Sequence, residues 1–207
     1  THLFALSAAA TDIMSFRFVP ALSAARLTYI DSLHGASRQQ SFTASLLLDE
    51  AIRLCCPSVP RPLDIAANEN GKPYLTAAPD VHFSLSHSAA WAVCAVSDHP
   101  IGVDIQQCRS FKPNIADRFF HPMRCSTCPR SLLPSAKTRL HTVALKESYV
   151  KADGRGLRLL RQFCVDIACQ PPAITVGAPC SLFVPDFPDP TYRLGVCVRE
   201  TGAEAPN

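Results

Sequence analysis

The chain has 207 residues, 47% of them hydrophobic, and a net charge of +3 at neutral pH. That apolar content can build one compact domain or two small halves, while so weak a basic balance argues against general nucleic-acid binding. No apolar run approaches the ~18–20 residues of a membrane span, so no membrane role is expected.

In chain order, Leu3–Ala9 reads as a first strand. The opening THLFALSAAA resembles a signal h-region in composition, but it lacks a basic n-region and Asp12 interrupts soon after. Phe42, Leu46, Leu47 and Ile52 share a helical register, which predicts a helix over 37–54 ended by Pro57 and Pro60. Strands are predicted at 80–86, 91–97 and 101–106, joined by short turns into a meander. A short helix is expected at 111–122, followed by a Pro-rich loop over 122–135. A long helix over 136–152 closes on Asp153-Gly154, a good C-terminal cap. Further strands are expected at 162–168, 173–176, 181–184 and 191–199, with a frayed tail from 201. The pattern is helix-plus-meander twice, hence an α+β fold.

The chain contains ten cysteines. Cys94, Cys164 and Cys197 lie inside apolar strand-like runs, where cysteine acts as a small hydrophobe. Cys125 and Cys128 form a CxxC, but no second CxxC or histidine pair completes a zinc set. A reduced, cytoplasmic chain fits this usage best.

The chemistry concentrates in GVDIQ at 102–106 and ALKESYVKADGRGL at 144–157. Along the predicted helix, Leu140, Val143, Ala144 and Val150 form an apolar stripe, and Glu147 and Lys151 fall inside it. Charges aimed at a core are costly unless a metal, a phosphate or a partner charge meets them. The plainer reading is a surface Glu–Lys pair one turn apart. On the strand, Asp104 and Gln106 alternate with Val103 and Ile105 and share one face. An Asp on a strand and a Glu on a helix can together hold magnesium, whose remaining ligands come from water and phosphate. A lysine one turn beyond the Glu would neutralise phosphate charge there.

Four segments also carry a resemblance. Asn70-Gly71-Lys72-Pro73-Tyr74, SLSHSAAWAVCAVS (84–97), PIGVDIQ (100–106) and LKESYVKADGRGL (145–157) resemble, in order and spacing, the 4′-phosphopantetheinyl transferases of the surfactin and enterobactin type. SRQQSFTASLLLDEAIR (37–53) is similar to that family's N-terminal helix. The resemblance implies two pseudo-two-fold-related halves, 1–101 and 102–200, each a helix on a small antiparallel sheet, with a cofactor cleft between them. It implies a monomer that moves the phosphopantetheine arm of coenzyme A onto a serine of an acyl or peptidyl carrier protein, with Mg2+ (or Mn2+), releasing 3′,5′-ADP. Asp104 and Glu147 match the family's metal ligands, and Lys151 matches its pyrophosphate lysine. Ser86 and His87 match the segment at the 3′-phosphate, as do Lys72 and, at the helix start, Arg38. Glu147 or its metal-bound water is expected to take the serine proton.

The chain departs from the family pattern at Gln106, where many relatives have a third carboxylate; there a water would complete the metal's shell. Val143 replaces a frequent tryptophan, and Arg124 stands near a frequent glutamate. Two rivals follow: a Mg-dependent phosphoesterase acting on a diphosphate, and a non-catalytic member that only binds coenzyme A or a carrier.

Overall fold

The computed structural model describes residues 1–8, 22–108, 136–167 and 169–200. Strand β1 (His2–Ser7) is followed by helices α1 (Ala24–Ser32) and α2 (Gly35–Cys55). A small hairpin of β2 (Ile65–Ala67) and β3 (Pro73–Leu75) leads to β4 (His82–Ser88), β5 (Trp91–Ser97) and β6 (Ile101–Gln107). Helix α3 (Ala136–Asp153) and a 3₁₀ turn (Leu157–Arg161) precede β7 (Cys164–Asp166), β8 (Ala173–Val176), β9 (Cys180–Phe183) and β10 (Tyr192–Arg199). The α+β class is as expected, with small antiparallel sheets. The predicted helix at 111–122, the loop at 122–135, Cys125, Cys128 and the tail lie outside the described residues.

Four layers form: helix α2, the sheet β1-β5-β4, the sheet β6-β10-β9, and helix α3. Strand β5 shows why. Its even-numbered Ala92, Cys94 and Val96 join a core with Leu47, Leu48, Ala51 and Ile52 of α2. Its odd-numbered Val93 and Ala95 join a second core with Val103 and Ile105 of β6 and Leu194 and Val196 of β10. A strand apolar on both faces belongs between two layers.

One expectation needs correcting. The 80–106 segment is not a meander: β4 and β5 form the predicted hairpin, but β6 leaves it and pairs antiparallel with β10. The reason lies in β4. Ser84, Ser86 and Ser88 point across the layer boundary, and their hydroxyls accept the backbone N–H groups of Val103 (3.0 Å), Ile105 (3.3 Å) and Gln107 (3.1 Å). The offset is constant, so β4 and β6 run parallel. Hydroxyls satisfy the outer edge of β6, which main-chain pairing would otherwise have to cover.

The apolar-stripe reading of α3 is also corrected. The helix is buried almost all round, and its deepest face is Leu145, Ser148 and Ala152. That face meets glycines. A Cβ on Gly102 would stand 1.9 Å from the Ser148 carbonyl oxygen, and one on Gly195 would stand 2.6 Å from the Ala144 carbonyl carbon. The helix therefore lies flush on β6 and β10, turning Glu147 and Lys151 to the most open side rather than into the core. Two elements had no clear sequence pattern: the short, largely exposed α1, capped by Ser23, and the β2–β3 hairpin around Gly71, which takes φ of 84°. The strand predicted at 162–168 is only three residues long, because the chain first makes the 3₁₀ turn.

Replacing Gly102 with Ala is expected to cost about 3 kcal/mol or more, at the upper end for overpacking, because the obstacle is helix backbone and cannot rotate away. Chemical denaturation measures this directly. A midpoint equal to that of the parent chain would show that α3 does not lie against β6 as described.

Candidate functional site

The site is built where β4, β6 and α3 converge. Asp104 is only 2% exposed. Its Oδ1 accepts hydrogen bonds from Ser86 Oγ at 2.8 Å and Lys151 Nζ at 2.7 Å, and its Oδ2 accepts one from Gln106 Nε2 at 2.8 Å. Lys151 Nζ also donates to the Val103 carbonyl at 3.1 Å. A buried carboxylate needs such partners to stay charged. Ser86 does two jobs here, since its hydroxyl also accepts the Ile105 N–H. The Gln106 amide must present its NH2 to Oδ2, because two facing oxygens would repel.

Beside this cluster lies a cavity of about 270 Å³, whose walls include Lys72, Phe83, Ser84, Glu147, Lys151 and Gly156. Glu147 and Lys151, one turn apart on α3, both face it. Lys72 reaches it from the turn between β2 and β3 and donates to the Ala152 carbonyl at 2.7 Å, capping the end of α3. Burial, opposed by Asp153 and reinforced by Arg199, lowers the Lys72 ammonium to about 8. At neutral pH it still carries its charge, held cheaply available to an anion. At the mouth, Arg158 Nη2 donates to Asn70 Oδ1 at 3.3 Å, joining the two sides.

The expected residues divide as follows. Ser86, Asp104, Gln106 and Lys151 are hydrogen-bonded together, and Lys72, Glu147 and Lys151 line one cavity. His87, next along β4, is at the accessible edge; packing around its ring and the nearby Lys151 ammonium hold its imidazole below the usual range. It does not line the cavity. Arg38 stands apart, its Nη2 ion-paired with Asp31 at 2.5 Å. Gln40 ties the same helix start to the β4–β5 turn by donating to the Ala89 carbonyl at 2.9 Å. The oxygen donors available to a hard cation are the Asp104 and Glu147 carboxylates and the Gln106 amide oxygen. No cluster of three His, Cys, Asp or Glu side chains occurs among the described residues.

Some supporting residues were not foreseen. Lys146, 7% exposed, donates to the Phe163 carbonyl at 3.1 Å with its ammonium 4.7 Å above that ring. It therefore anchors α3 rather than facing the cavity. The signal for Ser84 and Ser88 was present in the period-2 serines of SLSHS.

The chain is similar in sequence to known proteins. Residues 100–195 match the family described as the 4′-phosphopantetheinyl transferase superfamily. A 4′-phosphopantetheinyl transferase of Bacillus subtilis is 33% identical over 173 residues, covering 79% of this chain and 75% of the relative. The transferase Sfp of Bacillus subtilis strain 168 is 34% identical over 142 residues, 64% of this chain and 61% of its own length. The transferase gsp of Aneurinibacillus migulanus is 37% identical over 101 residues, 48% and 42%. The chain belongs to the 4′-phosphopantetheinyl transferases.

Because Ser86 satisfies both the Asp104 carboxylate and the Ile105 N–H, Ser86→Ala should cost about 1–3 kcal/mol by leaving buried polar groups unpaired. The Ser88→Ala change, at the more accessible end of the ladder, should cost less. Equal midpoints for parent and Ser86→Ala in urea would refute the hub role.

Proposed function

We propose that this chain transfers the 4′-phosphopantetheine arm of coenzyme A to a serine of an apo carrier protein, acyl or peptidyl, leaving 3′,5′-ADP. The reading is carried by one observation: in a chain of this family, the partly buried Glu147 and two lysines from separate elements line one cavity, and one of those lysines, Lys151, is held by the buried Asp104 carboxylate behind it. Among the described residues no helix is long and apolar enough to cross a membrane.

A magnesium ion fits the donor set. The available atoms are hard oxygens, two of them carboxylates, which is the number magnesium commonly takes when phosphate and water supply the rest. Asp104 and Glu147 would hold it, with Gln106 close enough to act through a water. When bound, the ion supplies neutralisation of phosphate charge and polarisation of the phosphorus to be attacked. The chain's own residues do the remaining work. Lys151 releases its hold on Asp104 Oδ1 and meets charge on the phosphates or the departing nucleotide. Glu147 takes the proton from the carrier serine. Ser86 and Gln106 keep the Asp104 carboxylate oriented. Lys72, Ser86, His87 and Arg38 serve the nucleotide end of coenzyme A, Arg38 exchanging Asp31 for phosphate.

We take 1–101 and 102–200 as two halves related by a pseudo-two-fold. The support is that each lays one long helix on one three-stranded antiparallel sheet, α2 on β1-β5-β4 and α3 on β6-β10-β9.

Asp104→Ala is expected to lower transfer by about two orders of magnitude or more while the circular dichroism stays that of the parent. Mass spectrometry of an apo carrier incubated with coenzyme A and magnesium reads the transfer. Parental rates in the variant would remove Asp104 from the reaction. Coenzyme A cleaved with no gain in carrier mass would favour a phosphoesterase, and binding without turnover a non-catalytic member.

A second test uses pH. Lys72 titrates near 8 in the free protein, and only its protonated form attracts an anion. Coenzyme A affinity should therefore fall as pH rises through about 8, by roughly tenfold if one charge-assisted contact is lost. Calorimetry from pH 7 to 9.5 should show this step in the parent chain and not in Lys72→Gln. The same step in both would assign it to another group.

A further inference from the structure

A second cavity, of about 360 Å³, shares Lys72, Pro73 and Phe83 with the first as a common wall. It is enclosed by the β2–β3 hairpin, the start of β4, the residue before β6, the C-terminal end of α3 and the last residue of β10. Its polar lining is Lys72, His82, Arg199, Asn68 and Asp153. Asp153 is fully committed. Its Oδ1 accepts from Arg155 Nε at 2.7 Å, and its Oδ2 accepts from Arg155 Nη2 at 3.0 Å and Arg199 Nη1 at 2.8 Å. With Lys72, whose ammonium feels the same carboxylate, Arg155 and Arg199 set three cations against this one carboxylate and leave two positive charges unmatched by it. The Arg199 Nε is buried and has no hydrogen-bond partner, although a buried donor normally finds one. The bases also act on one another: besides burial, Arg199 presses the Lys72 ammonium down, and Lys72 does the same to the His82 imidazole. Asp80 and Asp98 oppose the effect on His82 from outside the lining. The rest of the wall is apolar, formed by Pro73, Pro79, Val81 and Pro100, with Tyr74 41% exposed at the rim.

We propose that this cavity is a second ligand site, separate from the transfer site, which binds a phosphate monoester. A dianion matches two unmatched cations, where a carboxylate would match one. The phosphoryl oxygens meet the Arg199 guanidinium and His82, with the Lys72 ammonium, which the first cavity shares, beside them. The organic group lies along the prolines and the Tyr74 ring, in space that a bare phosphate ion would leave unfilled.

The test is calorimetric titration of the full chain with phenyl phosphate and with inorganic phosphate, each with and without saturating coenzyme A. The expected result is phenyl phosphate binding that survives coenzyme A and is several-fold tighter than that of inorganic phosphate. Both His82→Gln and Arg199→Gln should weaken it about tenfold or more, the size of one lost charge-assisted contact. Tyr74→Ala should lower phenyl phosphate affinity to that of inorganic phosphate. Melting curves check that Arg199→Gln folds; His82→Gln leaves the Asp153 pair untouched and decides the matter alone if it does not. Three outcomes overturn the proposal: abolition of binding by coenzyme A, which would make the cavity part of the cofactor's own site; parental affinity in both variants; or phenyl phosphate binding no tighter than phosphate. The titrations without coenzyme A read the same residues even if the chain proves not to bind that cofactor, so the two readings fail separately.

Discussion

Three serine hydroxyls on β4 hold the outer edge of β6, and the site follows from that contact. An edge strand normally shows a row of unpaired N–H groups, and proteins cover such rows with a strand, a helix or a charge. Here Ser84, Ser86 and Ser88 accept the N–H groups of Val103, Ile105 and Gln107. A main-chain ladder would have merged the two sheets into one. The hydroxyl ladder instead leaves them as two layers with a seam between. Asp104 lies at that seam, and its carboxylate is taken by the middle serine. Stitching of the sheets and orientation of the carboxylate are thus one hydrogen-bond network, in which members strengthen one another in a low-dielectric setting. The flush seat of α3 on Gly102 and Gly195 completes the corner, bringing Lys151 within 2.7 Å of Asp104.

The sequence made the regular parts legible and the seam illegible, for physical reasons. Helix α2 announces itself through apolar periodicity, since it packs one residue set on one neighbour, and strand β5 through an unbroken apolar run, since it packs on both faces. The cap of α3 was readable because Gly154 takes φ of 83°, which glycine adopts without strain. The face of α3 was not readable from its pattern. A helix enclosed on nearly every side has little contrast between its faces, so Ser148, which is fully buried, looks no different from a surface serine. The departure of β6 from the hairpin was hidden for a related reason. Strand order depends on which edge is satisfied by what, and side-chain hydroxyls leave no hydrophobic trace. The site residues were legible by type and spacing. Their partners were not: that Gln106 donates to Asp104, and that Lys146 turns to Phe163 while Lys151 turns to the cavity, depends on a third dimension the chain order does not carry.

The positive charge of the site is distributed in an instructive way. Lys151 has a carboxylate within contact distance, whereas Lys72 has a helix-end carbonyl and only more distant help from Asp153. Burial draws Lys72 down to about 8, because a carbonyl and the negative end of a helix offset only part of its desolvation. An arriving anion would offset that burial, and Lys72 forms part of both cavity walls. An anion on either side relieves the same unfavourable burial, but two anions at once would share a single ammonium. Arg199 changes this balance, because it gives the second cavity a cation of its own, anchored through Asp153 and therefore independent of events at Asp104. The two cavities are in this sense electrostatically joined at Lys72 and separately supplied elsewhere, so a ligand in one alters the charge available to the other without any movement of the fold.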